Sequence, residues 1–320
     1  MDWTSRLRLR NLQMLLSLAQ TQNISRSAAA LNTTQPGLSK WLKELEADIG
    51  MPLFERHARG LKPTPSGEAL IAHARRIEAH LDGAREDMAA MRDGSSGRVV
   101  IGASGASASD TVPLAVFKLM QRMPQASIKL VESTTDRLLA LLGDGELDLI
   151  VGRSSRSRPD PAIRSETLYV EPLHFVARPR HPLFDKPAVD WDDLLAYRWL
   201  VWPKGTPIRD SLDDTLAAAG RSMPFPSVES NSVTLNLTLL NNSDMIGLAS
   251  HRAATRFAQM NTMRIVPLRL SGFGTVAMYW RDDAANRAAV AAALGCLRDV
   301  VAEQGGRGIP ESRRSTGGPA

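Results

Sequence analysis

Apolar residues recur through the first fifty positions at helical spacing. Leu9, Leu12, Leu15, Leu16 and Ala19 mark one face of a first helix that ends at Asn23. Ser25 is placed to cap a short helix from Arg26 to Leu31, in which Ala28, Ala29 and Ala30 are small enough for another helix to approach. Asn32 and Thr33 form a turn. Thr34 then caps a third helix, with Pro36 in its first turn, where a missing N–H is harmless. Leu38, Leu42, Leu45 and Ile49 repeat at four, three and four and face inward, leaving Gln35, Ser39, Lys40 and Lys43 outside. A short helix, a tight turn and a polar-fronted second helix predict a helix-turn-helix, with Gln35 and Ser39 able to reach base edges in a major groove. An ordinary pair of antiparallel helices can show the same spacing.

Gly50 closes the third helix. The run Met51, Pro52, Leu53, Phe54 reads as an apolar strand, Glu55 to Lys62 as a basic turn, and Leu61 to Thr64 as a second strand. This is a wing, whose Arg56, Arg59 and Lys62 would contact phosphates or the minor groove.

Thr64 as cap and Pro65 at the first helical position open a long helix. Along it Leu70, Ala74, Ile77, Leu81, Ala84, Met88 and Met91 alternate at four and three, the repeat of a coiled-coil seam. One helix burying this stripe against its own domain would satisfy the spacing, but such stripes are usually wider. Pairing between two copies is the better reading, and Asp93 to Gly97 then forms a hinge.

Beyond the hinge the pattern alternates. Strands are predicted at Val99–Gly102, Ser127–Val131, Leu147–Val151, Leu173–Ala177, Trp199–Trp202, Ser227–Glu229, Met245–Ala249 and Thr275–Trp280. Helices are predicted at Val112–Met123, Asp136–Gly143, Arg209–Gly220, Val233–Asn241 and Ala284–Ala302. The class is α/β with parallel, doubly wound strands. Residues 303–320, rich in Gly, Ser and Arg, carry no periodicity and are expected to be disordered.

Charge changes the picture once it is located. The 320 residues carry a formal net charge of +5. Residues 1–62 hold nine Lys or Arg against five acids, whereas residues 98–302 hold 23 against 21. The excess therefore sits on the helix-turn-helix and wing, where a phosphate backbone would bind.

The runs Leu9-Arg10-Asn11-Leu12, Ser25 to Lys40, Leu45-Glu46, Gly50 to Arg56 and Thr64-Pro65-Ser66-Gly67 together resemble the LysR-type transcriptional regulators over about 65 residues. The resemblance implies that Arg26, Thr34, Gln35, Pro36, Ser39 and Lys40 lie on or beside DNA and that Arg56 and Lys62 lie in the wing; Thr33, in the turn, completes the set of candidates. Gly37 stands where alanine is commoner in the family, and Trp41 where a polar residue is frequent; packing is the favoured reading for Trp41. The implied organisation is a winged helix-turn-helix over 1–65, a dimerisation helix over 66–92, a hinge at 93–97, and a two-lobed, periplasmic-binding-protein-like effector domain over 98–302. Lobe I would comprise 98–168 and 273–302, lobe II 169–272, with crossings near Thr167 to Pro172 and Arg269 to Gly274.

Ligands of such sheets bind beyond the carboxyl ends of strands. Ser104, Gly105, Ala106 and Ser107, then Ser133, Thr134 and Thr135, then Arg153, then Gly205, Thr206 and Arg209 fall there, with Asn231 a weaker candidate. Hydroxyls, backbone amides and an arginine point to a small anion, a carboxylate above all. The hydroxyls could equally be helix caps, and Arg153 a structural ion pair.

Other chemistry is missing from the pattern. Residues 102–105 lack the Lys-Ser/Thr of a phosphate loop and the spacing of a nucleophile elbow. His57, His73, His80, His174, His181 and His251 show no metal-ligand spacing. The single cysteine, Cys296, reads as a buried apolar residue, and with no signal-like start the expected compartment is the cytoplasm. No uncharged apolar run approaches the roughly 18 residues of a membrane span. The sequence thus predicts a non-enzymatic transcriptional regulator without cofactor or metal. Its expected partners are a dyad operator in double-stranded DNA, a small effector, further copies of itself as a homodimer or homotetramer, and RNA polymerase as an additional candidate. The rival is a cytoplasmic solute-binding protein or enzyme built on the C-terminal lobes.

Overall fold

A computed structural model describes residues 3–57, 60–93, 97–154, 162–223 and 227–305. Arg59, most of the expected hinge and the tail beyond 305 lie outside them. The chain divides into two units, the first reaching to Ala89.

In the first unit α1 (Leu9–Thr21), α2 (Ile24–Ala30) and α3 (Gln35–Ile49) precede β1 (Phe54–His57), β2 (Gly60–Pro63) and α4 (Pro65–Asp93). The inward face of α1 is turned slightly from expectation: Leu12, Leu15 and Leu18 are buried, while Leu9 is exposed. Gln22 ends α1 in the left-handed region at φ 53°, which leaves Asn23 as the extended residue before α2. Asn23, not Ser25, is therefore the cap, accepting from the Arg26 amide at 3.0 Å. Thr34 caps α3 as expected, its Oγ1 accepting from the Gly37 amide at 3.2 Å. A β-carbon at Gly37 would lie 3.0 Å from that same Oγ1, so glycine leaves the cap uncrowded. Glu55 to His57, expected in the turn of the wing, belong to β1 instead. They pair antiparallel with β2, and Glu55 stands opposite Lys62, a favourable cross-strand charge pair. Leu38, Leu42, Leu45, Leu53, Phe54, Leu61, Ile71 and Ala74 close the core over α1, with Trp41 packed half-buried against it.

The second unit contains β3 (Arg98–Ala103), α5 (Gly105–Ala108), α6 (Thr111–Arg122), β4 (Ser127–Glu132), α7 (Thr135–Asp144), β5 (Leu149–Arg153), β6 (Ile163–Ala177), α8 (Trp191–Leu195) and β7 (Trp199–Val201). There follow α9 (Pro207–Ala218), β8 (Ser227–Glu229), α10 (Val233–Asn241), β9 (Ile246–Ser250), α11 (His251–Gln259), β10 (Arg264–Arg281) and α12 (Ala288–Gly305). The sheet order is β4-β3-β5-β10-β6-β9-β7-β8. At each flank the strands are parallel, as the alternating pattern required: β3 with β4 and β5, and β7 with β8 and β9. The centre departs from a doubly wound parallel sheet. There β6 and β10 run antiparallel to each other, and β10 to β5 and β6 to β9 likewise. Each of these strands is long enough to serve both halves. One hydrophobic core gathers around β3, β5, α6 and α12, including Val99, Leu119, Val151, Met278 and Leu297. Another gathers around β7, β9 and α9, including Phe175, Trp199, Leu212 and Ile246. Thr167 to Pro172 and Arg269 to Gly274 fall inside β6 and β10, between the two cores, and register shifts occur on either side of Arg269.

Candidate nucleic-acid interface and ligand cleft

Gln35, Pro36, Lys40 and Lys43 are exposed on one face of α3, and Ser39 lies half-buried among them. The inward leucine stripe leaves this side nowhere else to point. Arg26 is exposed on α2, and Thr33 is half-buried in the turn. The Thr34 oxygen is engaged as the cap, so its main contribution is to fix the first turn of α3. Arg56 on β1 reaches the recognition face: its Nη2 lies 3.5 Å from Ser39 Oγ, a long hydrogen bond. Lys62 is exposed on β2. Glu44 shares the face of α3 and pairs loosely with Lys40 at 3.8 Å, an exposed pair of small energetic weight.

On α4 the heptad stripe divides. Ala74 is buried in the first unit's core and Leu70 packs against it, whereas Ile77, Leu81, Met88 and Met91 are 41–75 % exposed. Ile77 and Leu81 continue an apolar groove between α4 and the start of α1, lined also by Leu7, Leu9 and Ile49.

In the second unit the structure brings together only part of the set expected at the strand ends. Ser104 precedes α5 without capping it, and its Oγ is buried with no partner among the described residues. Thr135 is its neighbour: a β-carbon at Gly152 would lie 2.7 Å from Thr135 Oγ1 and 3.2 Å from Ser104 Oγ. Ser107 is committed structurally, its hydroxyl lying 2.6 Å from the Val151 carbonyl and 3.1 Å from that of Ser104. Ser133 and Thr134 are half-buried, and the Ser133 amide donates to the Ala103 carbonyl. Gly105 follows Ser104 at the cleft, while the Ala106 side chain lies outside the described set.

Arg153 does not join the hydroxyls. One residue past Gly152 on a pleated strand, it points to the opposite face of β5. Its guanidinium lies against the backbone of β10, where a β-carbon at Gly274 would be 1.6 Å from Nη1. Nη2 donates to the Glu171 carbonyl at 2.8 Å, and burial lowers the pKa of the group against the pull of Glu171. Burial also raises the pKa of the Glu171 carboxyl, opposed mainly by Arg252. Arg252 donates its amide to Glu171 Oε1 at 2.9 Å, stacks 3.8 Å over the Tyr169 ring and lies 3.3 Å from Asp110. Arg209 is likewise occupied, with Nε 2.9 Å from Asp213 and Nη1 3.5 Å from Glu229 and 3.2 Å from the Trp202 carbonyl. Thr206 donates to the Pro203 carbonyl. Gly205 and Asn231 are exposed at the ends of their loops. Arg209 is thus taken by acids and a carbonyl, whereas Arg153, 2 % exposed, makes a single bond and keeps Nε and Nη1 buried with no partner among the described residues.

What sequence reasoning missed is Trp202. Its ring lies against Gly105, where an added β-carbon would be 2.9 Å from Cη2. An aromatic residue just after a strand, followed by proline, was the available signal. Among the described residues no group of three or more metal-ligating side chains occurs, and no helix is long and apolar enough to cross a membrane.

A winged helix-turn-helix with a polar recognition face, joined through a long helix to a two-core α/β sensor, defines a DNA-binding regulator of the effector-responsive class. Known proteins agree: residues 9–68 match the bacterial regulatory helix-turn-helix protein of the lysR family, and residues 92–302 match the LysR substrate binding domain. The chain belongs to the LysR family of transcriptional regulators. It is 30% identical to the HTH-type transcriptional regulator GbpR of Azospirillum brasilense, over 92% of this chain and 86% of that one. It is 31% identical to the HTH-type transcriptional regulator GalR of Pseudomonas putida, over 92% and 74%. Full-length CbnR, a LysR family transcriptional regulator, shares the fold with a TM-score of 0.65 at 19% identity, covering 92% of this chain and 99% of that one. CbnR in complex with its target DNA matches with the same TM-score of 0.65 at 20% identity, covering 92% and 100%. The protein is accordingly a DNA-binding transcriptional regulator that carries an effector-binding domain.

Proposed function

We propose that the protein reads a dyad operator in the cytoplasm as a homodimer or homotetramer, placing one α3 in the major groove of each half-site and adjusting promoter output when a small effector enters its second unit. The observation that carries this reading is the Gln35–Ser39 face of α3 with Arg56 reaching it, and Lys62 exposed on the same wing. Such a face separates base reading from phosphate anchoring. Pairing along α4 would hold two readers at a fixed separation, as a dyad requires. In the effector domain, the Ser104 and Thr135 hydroxyls beside Gly152, together with the buried Arg153 whose Nε and Nη1 have no partner among the described residues, support an anionic ligand; Arg209 adds none.

Binding measured on a panel of operator variants across salt concentrations tests the division of labour. Gln35→Ala with Ser39→Ala should flatten the preference among base substitutions by roughly 1–3 kcal/mol at the positions those side chains read. Arg56→Ala or Lys62→Ala should instead weaken every sequence alike and reduce the salt slope by about one for each phosphate no longer neutralised. Equal effects of both sets on all sequences would contradict the assignment.

A further inference from the structure

The turn between α1 and α2 holds more than these two helices. Gln22 ends α1 at φ 53°, a left-handed conformation uncommon for a residue with a side chain. Its amide donates to the Leu18 carbonyl at 3.0 Å and closes the helix, while its carbonyl accepts from the Leu61 amide of β2 at 2.8 Å. The next residue, Asn23, caps α2 by accepting from the Arg26 amide at 3.0 Å. Before them, the Thr21 hydroxyl donates to the Asn23 carbonyl at 3.1 Å and lies 2.6 Å from the hydroxyl of the fully buried Ser27. Three consecutive residues thus fix the end of α1, the start of α2 and one edge of the wing at a single point.

The wing meets this point at Gly60. Its φ of 128° is open to glycine and strained for other residues, and a β-carbon there would stand 2.4 Å from the Gln22 carbonyl oxygen. Both conditions exclude a side chain. A two-stranded hairpin is marginal by itself, and β1 and β2 have only four residues each. Phe54 and Leu61 sink their side chains into the core, and Arg56 reaches Ser39 from β1. On the β2 side, the Gln22 carbonyl holds the edge.

Exposed cations flank the junction: Arg26 on α2, whose amide Asn23 caps, and Lys62, the residue after Leu61. Phosphates recur at fixed intervals along a duplex, so two cations meet them together at least cost when their separation is set before binding. We propose that Gln22 is a positioning residue for DNA binding: its backbone carbonyl, seated against Gly60, sets the wing relative to α2 so that Lys62 and Arg26 engage the phosphates in one register. This rests on reading Lys62 as a phosphate contact. The backbone does the holding, so the exposed Gln22 side chain is dispensable while its left-handed φ is not.

Anisotropy of a fluorescent mixed-sequence duplex, titrated with the full-length protein across salt concentrations, tests it together with hydrogen exchange on the free protein. Lys62→Ala should lower the salt slope by about 0.9 for each phosphate contact given up. Gly60→Ala, and Gln22→Val with a β-branched residue at positive φ, should lower it by at least as much, and adding Lys62→Ala to either should lower it no further, because a released wing no longer presents the lysine. Gln22→Gly should bind like the wild type. In the free protein, Gly60→Ala and Gln22→Val should speed exchange of the Leu61 amide by about tenfold or more while α1–α3 keep their protection. A merely structural defect would cost affinity yet leave the full effect of Lys62→Ala. That result, a loss in Gln22→Gly equal to that in Gln22→Val, or unchanged Leu61 exchange in Gly60→Ala would overturn the proposal. Lys62→Ala without effect in the wild-type background would overturn it differently, by sinking the phosphate reading of the wing on which it rests.

Discussion

Gly67→Ala is expected to abolish operator binding and to raise amide exchange across α1–α3 about a hundredfold, corresponding to a loss of roughly 3 kcal/mol in the first unit. Gly67 lies in the first turn of α4, and a β-carbon there would stand 2.0 Å from the Leu53 carbonyl oxygen and 3.3 Å from Leu53 Cα. The obstacle is backbone, which has no rotamer to yield. Nor can the segment retreat. Glu46 Oε1 accepts from the Leu53 amide at 2.7 Å and the Phe54 amide at 3.1 Å, so α3 grips it from one side. Thr64 grips it from the other, its hydroxyl donating to the Pro52 carbonyl at 2.7 Å and its amide to the Leu53 carbonyl at 3.0 Å. The same Thr64 oxygen accepts from the Gly67 amide at 3.0 Å, which caps α4. One methyl group thus sets the wing, the recognition helix and the linker helix against each other. Exchange unchanged from wild type would show that the junction relaxes at no expense.

Leu81→Glu combined with Met88→Glu should convert the protein to monomers and weaken operator binding by about 10²–10⁴, the advantage of engaging a second half-site through a linked partner. Both residues are more than two-fifths exposed within one chain, so the change removes no core and puts like charges along the proposed seam. Sedimentation velocity gives the mass and fluorescence anisotropy the affinity. A double variant that stays dimeric and keeps its affinity would place the pairing surface elsewhere.

Legibility followed how local each feature is. The Ser227–Glu229 strand and the Val233–Asn241 helix are seen with the predicted bounds, and Ser232 supplies a local cap to the latter by accepting from the Leu235 amide. The first two-thirds of β6 is invisible in the sequence because residues 163–172 carry Arg164, Ser165, Glu166 and Pro172 and show no apolar alternation; they pair with β10 more than a hundred positions away. Helix α11 is equally hidden because its buried residues are Ala253 and Ala254, which leave no bulky periodic stripe. The recognition face was legible since one helix carries most of it. The candidate effector site was not: Ser104, Thr135 and the buried Arg153 come from three separate strand ends, and Trp202 meets Gly105 only once β7 and the start of α5 are packed. The Arg209–Asp213 pair is a local i,i+4 contact within α9, but the pair of Arg209 with Glu229 cannot be foreseen until α9 and β8 are placed side by side.

The most direct test of the central claim is footprinting of the full-length protein on the DNA flanking its own gene. The expected result is a protected dyad whose half-site centres are spaced by a multiple of about 10–10.5 base pairs, lost when Gln35 and Ser39 are both replaced by alanine although binding to bulk DNA persists. Uniform protection without sequence preference, or none at all, would contradict it.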